Sequence, residues 1–435
     1  MKLKSTFYAA IDQYYQPNTR IVLGLSGGLD SRVMLELLAQ YAQQYRVDCL
    51  AVHVHHGLSD NADQWAEQCQ HWCQSLNVQL VVEKVSLDIE GRSIEESARE
   101  ARYNALRKYL SSGDLLLTGQ HADDQLETFL LALKRGSGPK GLSSMAAVMP
   151  FASAQIVRPL LSVTRQEIEE FAQSLDLEWV EDESNQDQRF ERNFIRHNLT
   201  PNMRERWPHI HQSVRRSAEL CAEQEQLLDE LMAEKLSAAL HSDSSLEIAT
   251  LAEMSELART RLLRMWLGSL GLRMPSRIQL DKLWQEVAQA QQDANPQLTL
   301  ADGQIRRFAH KLYVVQAWQS LEQWQCSLQL EQVCELPDEL GQLALVSSPN
   351  GKLSLKALAQ APLQVIFNPE GLSAHPAERG HSRKLKKLFQ EYGVPSWLRR
   401  RTPIVMCGER VVAVGDLFID RHFIGQDCEL IWDKL

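Results

Sequence analysis

The chain has 435 residues, 44% of them hydrophobic and 23% charged, with a formal net charge of −10. That length exceeds one ordinary core and suggests about three domains. The composition is that of a globular protein in water, and no apolar stretch approaches the ~20 residues that span a bilayer. Met1-Lys2-Leu3-Lys4-Ser5-Thr6 leads into no signal-peptide core, because Asp12 and neighbouring Gln and Tyr residues interrupt it; a cytoplasmic protein without membrane contact is expected.

Ile21-Val22-Leu23-Gly24-Leu25 predicts a short buried strand. Ser26-Gly27-Gly28-Leu29-Asp30-Ser31 follows, and Val33, Leu35, Leu37 and Leu38 sit in a helix-forming stretch that runs to about Gln44. A strand that turns through two glycines into a helix aims several backbone N–H groups at one spot, at the positive end of the helix dipole, which suits a phosphate or pyrophosphate. A side chain at either glycine would hold the backbone away from the anion. The plainer reading is a strand–helix turn with Asp30 or Ser31 as N-cap. No Lys-Ser/Thr follows, so this is not the mononucleotide loop of the common NTPases.

The next segments repeat the pattern. Strands are expected at Asp48–Val54, Val78–Glu83 and Asp114–Thr118, and helices at Asn61–Leu76, Ser93–Leu110 and Asp123–Lys134, the second opening on the capping box Ser93-Ile94-Glu95-Glu96. Repeated βα units imply an α/β fold with a doubly wound parallel sheet that binds ligands at the carboxyl ends of its strands. Gly136-Ser137-Gly138-Pro139-Lys140-Gly141 reads as a loop at the rim of that edge, and Thr164 caps a helix to about Leu175. Beyond Pro208 helices dominate: Val214–Leu240, a turn at His241–Ser245, Thr260–Leu270 and Arg277–Gln292, with Arg306–Gln316 as one strand. From about Val333 short strands and turns, a helix at Ser382–Tyr392 and the strand pair Ile404–Met406 and Val411–Val414 give a compact α+β region. Three domains are expected: 1–212 (α/β), 213–325 (mainly helical) and 333–435 (α+β).

Gly119-Gln120-His121-Ala122-Asp123-Asp124-Gln125-Leu126-Glu127-Thr128 begins at the end of the fourth strand, on the edge where the glycine loop opens. A helix puts Asp123, Asp124 and Glu127 on one face. Carboxylates beside a triphosphate need a cation between them, and Mg²⁺ held by one or two carboxylates plus phosphate oxygens is the usual arrangement, with Asp30 as a second ligand. Acidic residues also favour a helix N-terminus for dipole reasons, and Glu127 fits either role. Arg99 and Arg102 share a face of the preceding helix and suit a phosphate or nucleotide edge, or ion pairs with Glu95, Glu96 or Glu100. His53, His55 and His56 end the second strand and read as pocket-shaping groups, since a fourth metal ligand is lacking.

The eight cysteines are scattered; Cys69 and Cys73 are four apart on a helix and read as buried thiols. Two basic runs stand out on an acidic chain. Between Arg189 and Arg216 seven arginines face Glu191 and Glu205, and between Arg383 and Arg401 seven cations face Glu391 alone. Each is a solvated helix face or a nucleic-acid contact. Trp397 among the arginines is expected to pack.

Ser26 to Ser31 resembles the pyrophosphate (PP) loop of the N-type ATP pyrophosphatases, which cleave ATP between its α and β phosphates. A more specific set includes Arg99–Tyr103, Gly119–Thr128 with Arg135-Gly136-Ser137-Gly138, and Arg192-Asn193-Phe194-Ile195-Arg196 with Leu199-Thr200-Pro201. It continues with Lys386-Lys387-Leu388-Phe389 through Pro395–Pro403 and with Ala413-Val414-Gly415-Asp416; together these resemble the tRNA(Ile)-lysidine synthases. The resemblance implies ligation of free L-lysine to the wobble cytidine of a tRNA(Ile) with a CAU anticodon, using ATP and Mg²⁺, by a monomer or homodimer. It implies Ser26, Gly27, Gly28, Leu29, Asp30, Ser31, His53 and His121 at the nucleotide, and Asp30 and Asp124 at the metal. Asp30, Asp123, Asp124, Arg99 and Arg102 would then serve the chemistry, and Arg192, Arg196, Lys386, Lys387, Arg399, Arg400 and Arg401 the tRNA. A tRNA-thiolating enzyme with the same loop commonly needs a cysteine pair or cluster, a small-molecule ligase would not need two basic runs, and a tRNA-binding protein without catalysis would release no AMP.

Overall fold

The computed structural model describes residues 2–87, 94–291, 294–316 and 318–434, and it divides into two compact units, Met1–Glu230 and Leu231–Leu435. No helix among the described residues is long and apolar enough to cross a membrane.

The first unit is built on a six-stranded sheet of β1 (Ile21–Gly24), β2 (Cys49–His55), β3 (Gln79–Lys84), β4 (Leu115–Leu117), β5 (Val148–Phe151) and β6 (Ala154–Val157), in the order β3-β2-β1-β4-β6-β5. All neighbours pair in parallel except β5 and β6, which form an antiparallel hairpin at the edge. Side chains alternate between the faces of a strand. Ile21, Leu23, Ala51, Leu115, Leu117 and Val157 therefore bury on one side against α1 (Lys2–Asp12), α2 (Leu29–Tyr45), α3 (Ala62–Ser75) and α7 (Arg165–Ser174). Val22, Leu50, Val52, Leu116 and Ile156 bury on the other, against Leu106 of α4 (Ile94–Arg107). Strand order runs outward from β1 through β2 to β3 and in the opposite sense from β4, so the loops after β1 and β4 part at one crevice, where open α/β sheets bind ligands.

Three features of this unit differ from expectation. Helix α1, which buries Phe7 and Ile11, and the β5–β6 hairpin had no counterpart in the sequence reading. Pro150 lies within β5 and reads as a breaker, yet proline is tolerated on an edge strand because its missing N–H faces away from the ladder. The expected rim loop contains one helical turn, α6 (Pro139–Leu142), started by a proline at its first position. The capping box at Ser93 falls outside the described residues, whereas Thr164 caps α7 as expected, with Glu167 completing the reciprocal pair.

In the second unit the helix Glu256–Ser269 and the helix Arg277–Lys282, prolonged through wide turns to Ala288, close over Trp266 and Ile305. They accompany an antiparallel sheet of β7 (Leu246–Glu247), β8 (Gln297–Leu300), β9 (Gly303–Phe308) and β10 (Lys311–Val315), in the order β7-β10-β9-β8. The stretch expected as one strand, Arg306–Gln316, is thus a hairpin. Its two turn residues, Ala309 and His310, both have positive φ (45° and 63°), a tight-turn geometry without the Asn-Gly signal that would mark it in a sequence.

The remaining residues form a five-stranded antiparallel sheet whose central members are Leu363–Ile366, Ile404–Cys407 and Arg410–Val414, a three-stranded sheet and the helix Leu385–Glu391. Gly415 closes the Arg410–Val414 strand at φ +48°, and a Cβ there would stand 3.0 Å from both Thr402 Cγ2 and the Trp432 ring. Gly415→Ala should therefore destabilise this region by about 1–3 kcal/mol in urea unfolding.

Candidate active site

The loop after β1 is a closed ring of short bonds. The N–H of Gly27 donates to Ser31 Oγ (3.1 Å), that of Gly28 to Ser26 Oγ (3.4 Å), and the two hydroxyl oxygens lie 3.0 Å apart. Gly27 has φ +89°, and a Cβ on it would meet Cys69 Sγ at 3.3 Å, so the turn needs glycine. Gly28 is the N-cap of α2 and no side chain caps the helix, which leaves its first N–H groups for an anion. The plainer expectation, a cap by Asp30 or Ser31, is not realised: both lie inside the first turn. The Leu29 side chain is buried in the core, so only its backbone can serve a ligand.

The loop after β4 lies directly against this ring. A Cβ on Gly119 would stand 3.3 Å from Asp30 Cβ and 3.5 Å from the Ser31 nitrogen, a close approach that glycine permits. His121 is the N-cap of α5 (Ala122–Lys134). Its Nδ1 accepts the Asp123 N–H (3.2 Å), and its own N–H donates to Asp124 Oδ2 (3.1 Å). Because Nδ1 accepts, the proton of the neutral ring sits on Nε2. Nε2 lies 3.7 Å from Asp30 Oδ1 and 3.5 Å from Asp124 Oδ2. Asp30 Oδ2 accepts from Arg165 Nη1 (2.8 Å), while Asp30 Oδ1 is buried without a hydrogen-bond partner.

The neighbouring carboxylates differ in what holds them. Asp123 is buried and fully engaged: Oδ2 accepts the Arg165 N–H (2.8 Å), Oδ1 accepts from Arg204 Nη1 (3.1 Å), and His211 Nε2 lies 3.1 Å from Oδ1. Burial opposes ionisation there, but His211 and the Arg165 N–H outweigh it and hold the carboxyl well below the usual range. Glu127 is wholly buried between two guanidinium groups, accepting from Arg196 Nε (2.7 Å) and Arg192 Nε (2.9 Å). Arg196 Nη2 also reaches Asp124 Oδ1 (3.1 Å), and Arg192 Nη2 reaches Thr128 Oγ1 (3.1 Å). These two arginines of the Arg189–Arg216 run thus turn inward onto α5.

His53 donates Nδ1–H to the Leu25 carbonyl (2.9 Å) and so braces the strand end that enters the glycine ring. His55 pairs with Asp63 (3.1 Å). Both His56 nitrogens are shut from water without a hydrogen-bond partner, and burial first, then the charge of Arg102, lowers its pKa to about 4. Arg99 stacks over Tyr103 at 5.2 Å. Cys69 and Cys73 are buried, and desolvation pushes both thiols up to about 12, which keeps them from being thiolate nucleophiles.

In the second unit, Lys386 and Lys387 are exposed on a helix whose Leu385, Leu388 and Phe389 face the core. Arg399 is half-buried and donates to the Val394 carbonyl (3.0 Å). Arg400 pairs with Glu322 (3.1 Å) and Glu370, and Arg401 is buried against Asp338 (2.5 Å) and stacked on Trp318. Trp397 packs against Tyr313 and Phe308, with ring centroids 5.4 and 6.1 Å away. Sequence reasoning missed Arg165 and His211, which lie 42 and 88 positions from Asp123 in the chain with no local motif to mark them, and it counted Arg204 in the basic run without showing that it pairs with Asp123.

A carboxyl with a depressed pKa stabilises the fold fully above its unfolded value of about 3.9 and ceases to do so as pH falls. Asp123→Asn should cost about 1.5–3 kcal/mol at pH 7. In thermal unfolding, the gap from wild type should stay constant down to about pH 5 and narrow below about pH 4.

Comparison with known proteins matches the PP-loop domain family over residues 2–203, the TilS substrate binding domain over 246–313 and the TilS substrate C-terminal domain over 363–433. The tRNA(Ile)-lysidine synthase of Vibrio vulnificus (strain CMCP6) is 59% identical over 434 residues, which cover 99% of each chain. That of Vibrio campbellii (strain ATCC BAA-1116) is 57% identical over 445 residues, again 99% of each. That of Photobacterium profundum is 52% identical over 418 residues, 95% of each. With identity of this degree sustained from the glycine loop to the last sheet, the chain belongs to the tRNA(Ile)-lysidine synthase family.

Proposed function

We propose that this protein joins free L-lysine to C2 of the wobble cytidine, C34, of a tRNA(Ile) with a CAU anticodon, by way of an adenylated cytidine. The supporting observation is the juxtaposition of the uncapped glycine ring with Asp30, His121 and Asp124 at the strand-order reversal. The C2 oxygen of cytosine is a poor leaving group. In the first step that oxygen bonds to the α-phosphorus of ATP, and the bond between that phosphorus and the bridging oxygen breaks, with pyrophosphate taking the electron pair. In the second step the lysine ε-nitrogen bonds to C2 and the C2–O bond breaks, so AMP leaves with the oxygen. The attacking amine must first shed a proton, because its free pKa is about 10.4.

Each part of the site fits a role in that sequence. The free N–H groups at the start of α2 suit the pyrophosphate portion of ATP. His53 holds the loop's entry strand, and the positive charge of Arg102, which acts on His53 of β2 and on His56 just after it, suits a nucleotide phosphate. Among the described residues no three His, Cys, Asp or Glu side chains gather as a metal cluster. Mg²⁺ needs no such cluster, since it takes one or two carboxylates and completes its shell with phosphate oxygens and water. The orphaned Asp30 Oδ1 is a hard oxygen donor of that kind, and Asp124 Oδ2, which accepts only the His121 N–H, has a lone pair left for the same use, whereas both oxygens of Asp123 and of Glu127 are taken by their donors. Bound there, the ion would offset charge at the phosphates. Asp123 acts as a clamp that joins the starts of α5 and α7, and Arg192 and Arg196 secure α5 from the other side.

Residues 1–212 form the catalytic domain in this reading, and 213–325 and 333–435 contribute tRNA contacts. Lys386 and Lys387 are the exposed cations best suited to phosphate contacts in the last domain. The raised thiol pKa values of Cys69 and Cys73 weigh against a thiolation chemistry.

Asp30→Ala should lower tRNA-dependent AMP formation by about 10²–10³-fold while leaving the Kd for tRNA within a few-fold. Equal loss of binding would remove Asp30 from the chemistry. Lys386→Gln with Lys387→Gln should do the reverse, weakening tRNA binding and lowering the slope of log Kd against log salt by about 1 per contact removed. An unchanged salt slope would take both lysines off the tRNA. Incubation with ATP, Mg²⁺, labelled lysine and CAU tRNA tests the reaction itself, and absence of label in the tRNA contradicts it.

A further inference from the structure

The glycine-rich segment from Arg135 to Ser144, between α5 and the β5–β6 hairpin, has no part in the steps above. It lies within a stretch of 39 residues, Thr128 to Gln166, that holds no Asp or Glu and five cations: Lys134, Arg135, Lys140, Arg158 and Arg165. The chain carries 56 acids in 435 residues, so about five would fall in a stretch of that length at random. The strands β5 and β6 account for only part of the gap. Lys134 is paired with Glu191 (2.5 Å) and Arg165 with Asp30 (2.8 Å), and Arg158 is buried. Arg135 and Lys140 are exposed and, among the described residues, pair with no carboxylate.

This lip is held in shape and tied to the active site. The N–H groups of Arg135 and Ser137 donate to the Leu131 and Ala132 carbonyls (3.2 and 3.0 Å). Those of Gly141 and Leu142 donate to the Gly138 carbonyl (2.9 and 3.1 Å), and that of Ser143 to the Pro139 carbonyl (2.8 Å). The lip starts at the far end of the 13-residue α5, about 20 Å from its first turn, and returns to that turn. There the Gln125 side chain, next to Asp124, is bonded both ways to the Met145 backbone (2.8 and 3.0 Å). Arg158 donates Nε–H to Gln120 Oε1 (3.2 Å) and Nη1–H to the Ala146 carbonyl (2.6 Å). Gln120 immediately precedes His121, so the end of the lip is fixed to both sides of the His121 cap.

We infer that this cationic lip holds the phosphate backbone of the tRNA strand that carries the target cytidine, with Arg135 and Lys140 as its phosphate contacts. A polyanion meeting an acidic protein is steered to the region where acids are missing. The two free cations belong to an extended lip that leads to the site, which suits the repeating charge of a strand better than a single small anion. Gly136 and Gly138 are exposed, and a Cβ on either would meet nothing within 4 Å, so the strand can approach bare backbone there. The anchored ends mean that little ordering is needed on binding. The inference rests on the tRNA reading above and assigns the catalytic domain its own share of the grip, beside the pocket into which the base is splayed.

The test is hydroxyl-radical footprinting of a CAU tRNA on the full-length protein at saturating concentration, with steady-state kinetics alongside. Wild type should protect the backbone on either side of cytidine 34. Arg135→Gln with Lys140→Gln should lose that protection and keep the protection elsewhere on the tRNA. The same variant should raise the KM for tRNA about tenfold and lower the slope of log Kd against log salt by about 1.4, with the KM for ATP changed less than about twofold. Exchanging the cations, Arg135→Lys with Lys140→Arg, should keep the protection and hold the KM for tRNA within about threefold of wild type. Protection beside cytidine 34 that survives removal of both charges overturns the inference, as does an unchanged KM for tRNA. Loss of protection in the exchanged pair as well would make the role of the lip structural and overturn it equally. A wild type that protects the tRNA but places no lysine on it overturns the enzymatic reading instead.

Discussion

The site depends on how closely two loops approach where the strand order reverses. β1 and β4 are neighbours in the sheet, and the loops that leave them must share the crevice between their helices. Gly119 lets the second loop come within van der Waals contact of Asp30 and the first turn of α2. A Cβ at Gly119 would already crowd Asp30, and a larger side chain would press the loop that carries His121 and Asp124 away from the glycine ring. The ring itself needs the left-handed Gly27 for the same reason of space, since Cys69 lies against it.

Once the loops meet, the carboxylates must be kept apart in function although they are adjacent in sequence. Four acidic groups near a triphosphate would repel it, and the fold neutralises two of them, Asp123 and Glu127, with cations from distant parts of the chain. Asp123 takes Arg204, His211 and the Arg165 N–H, and Glu127 takes Arg192 and Arg196. Asp124 spends one oxygen on the helix cap and offers the other to Arg196, and Asp30 keeps one oxygen unpaired. A buried carboxylate oxygen without a donor is costly unless something binds it, and Asp30 Oδ1 is such an oxygen although Oδ2 is held by Arg165. The same economy of charge explains why the basic run near Arg192 does not simply coat a surface: part of it serves as counter-charge for α5.

Much of this was legible in the chain. The alternation of apolar runs with helical stretches specified the parallel sheet, and the glycine pair and the acidic helix start specified both halves of the site, because each is a local pattern with a local physical cause. What escaped was set by contacts between distant residues. Nothing around Arg165 marks it as the partner of Asp30, since that pairing spans 135 positions and depends on how α7 packs. The inward turn of Arg192 and Arg196 and the burial of Arg401 against Asp338 are equally invisible in a charge count. The two missed hairpins had different causes: Pro150 disguised an edge strand, and Ala309-His310 makes a tight turn without glycine or asparagine.

Lysine is small and the tRNA large, so the account stands or falls on where the two are joined. The most direct measurement is mass spectrometry of the nucleosides of a CAU tRNA(Ile) after incubation with the protein, ATP, Mg²⁺ and lysine. The account predicts that the cytidine at position 34, and no other nucleoside, gains the mass of one lysine less one water, with one AMP released for each. Unmodified cytidine 34, or a sulfur-for-oxygen mass change at any anticodon-loop base, would contradict it.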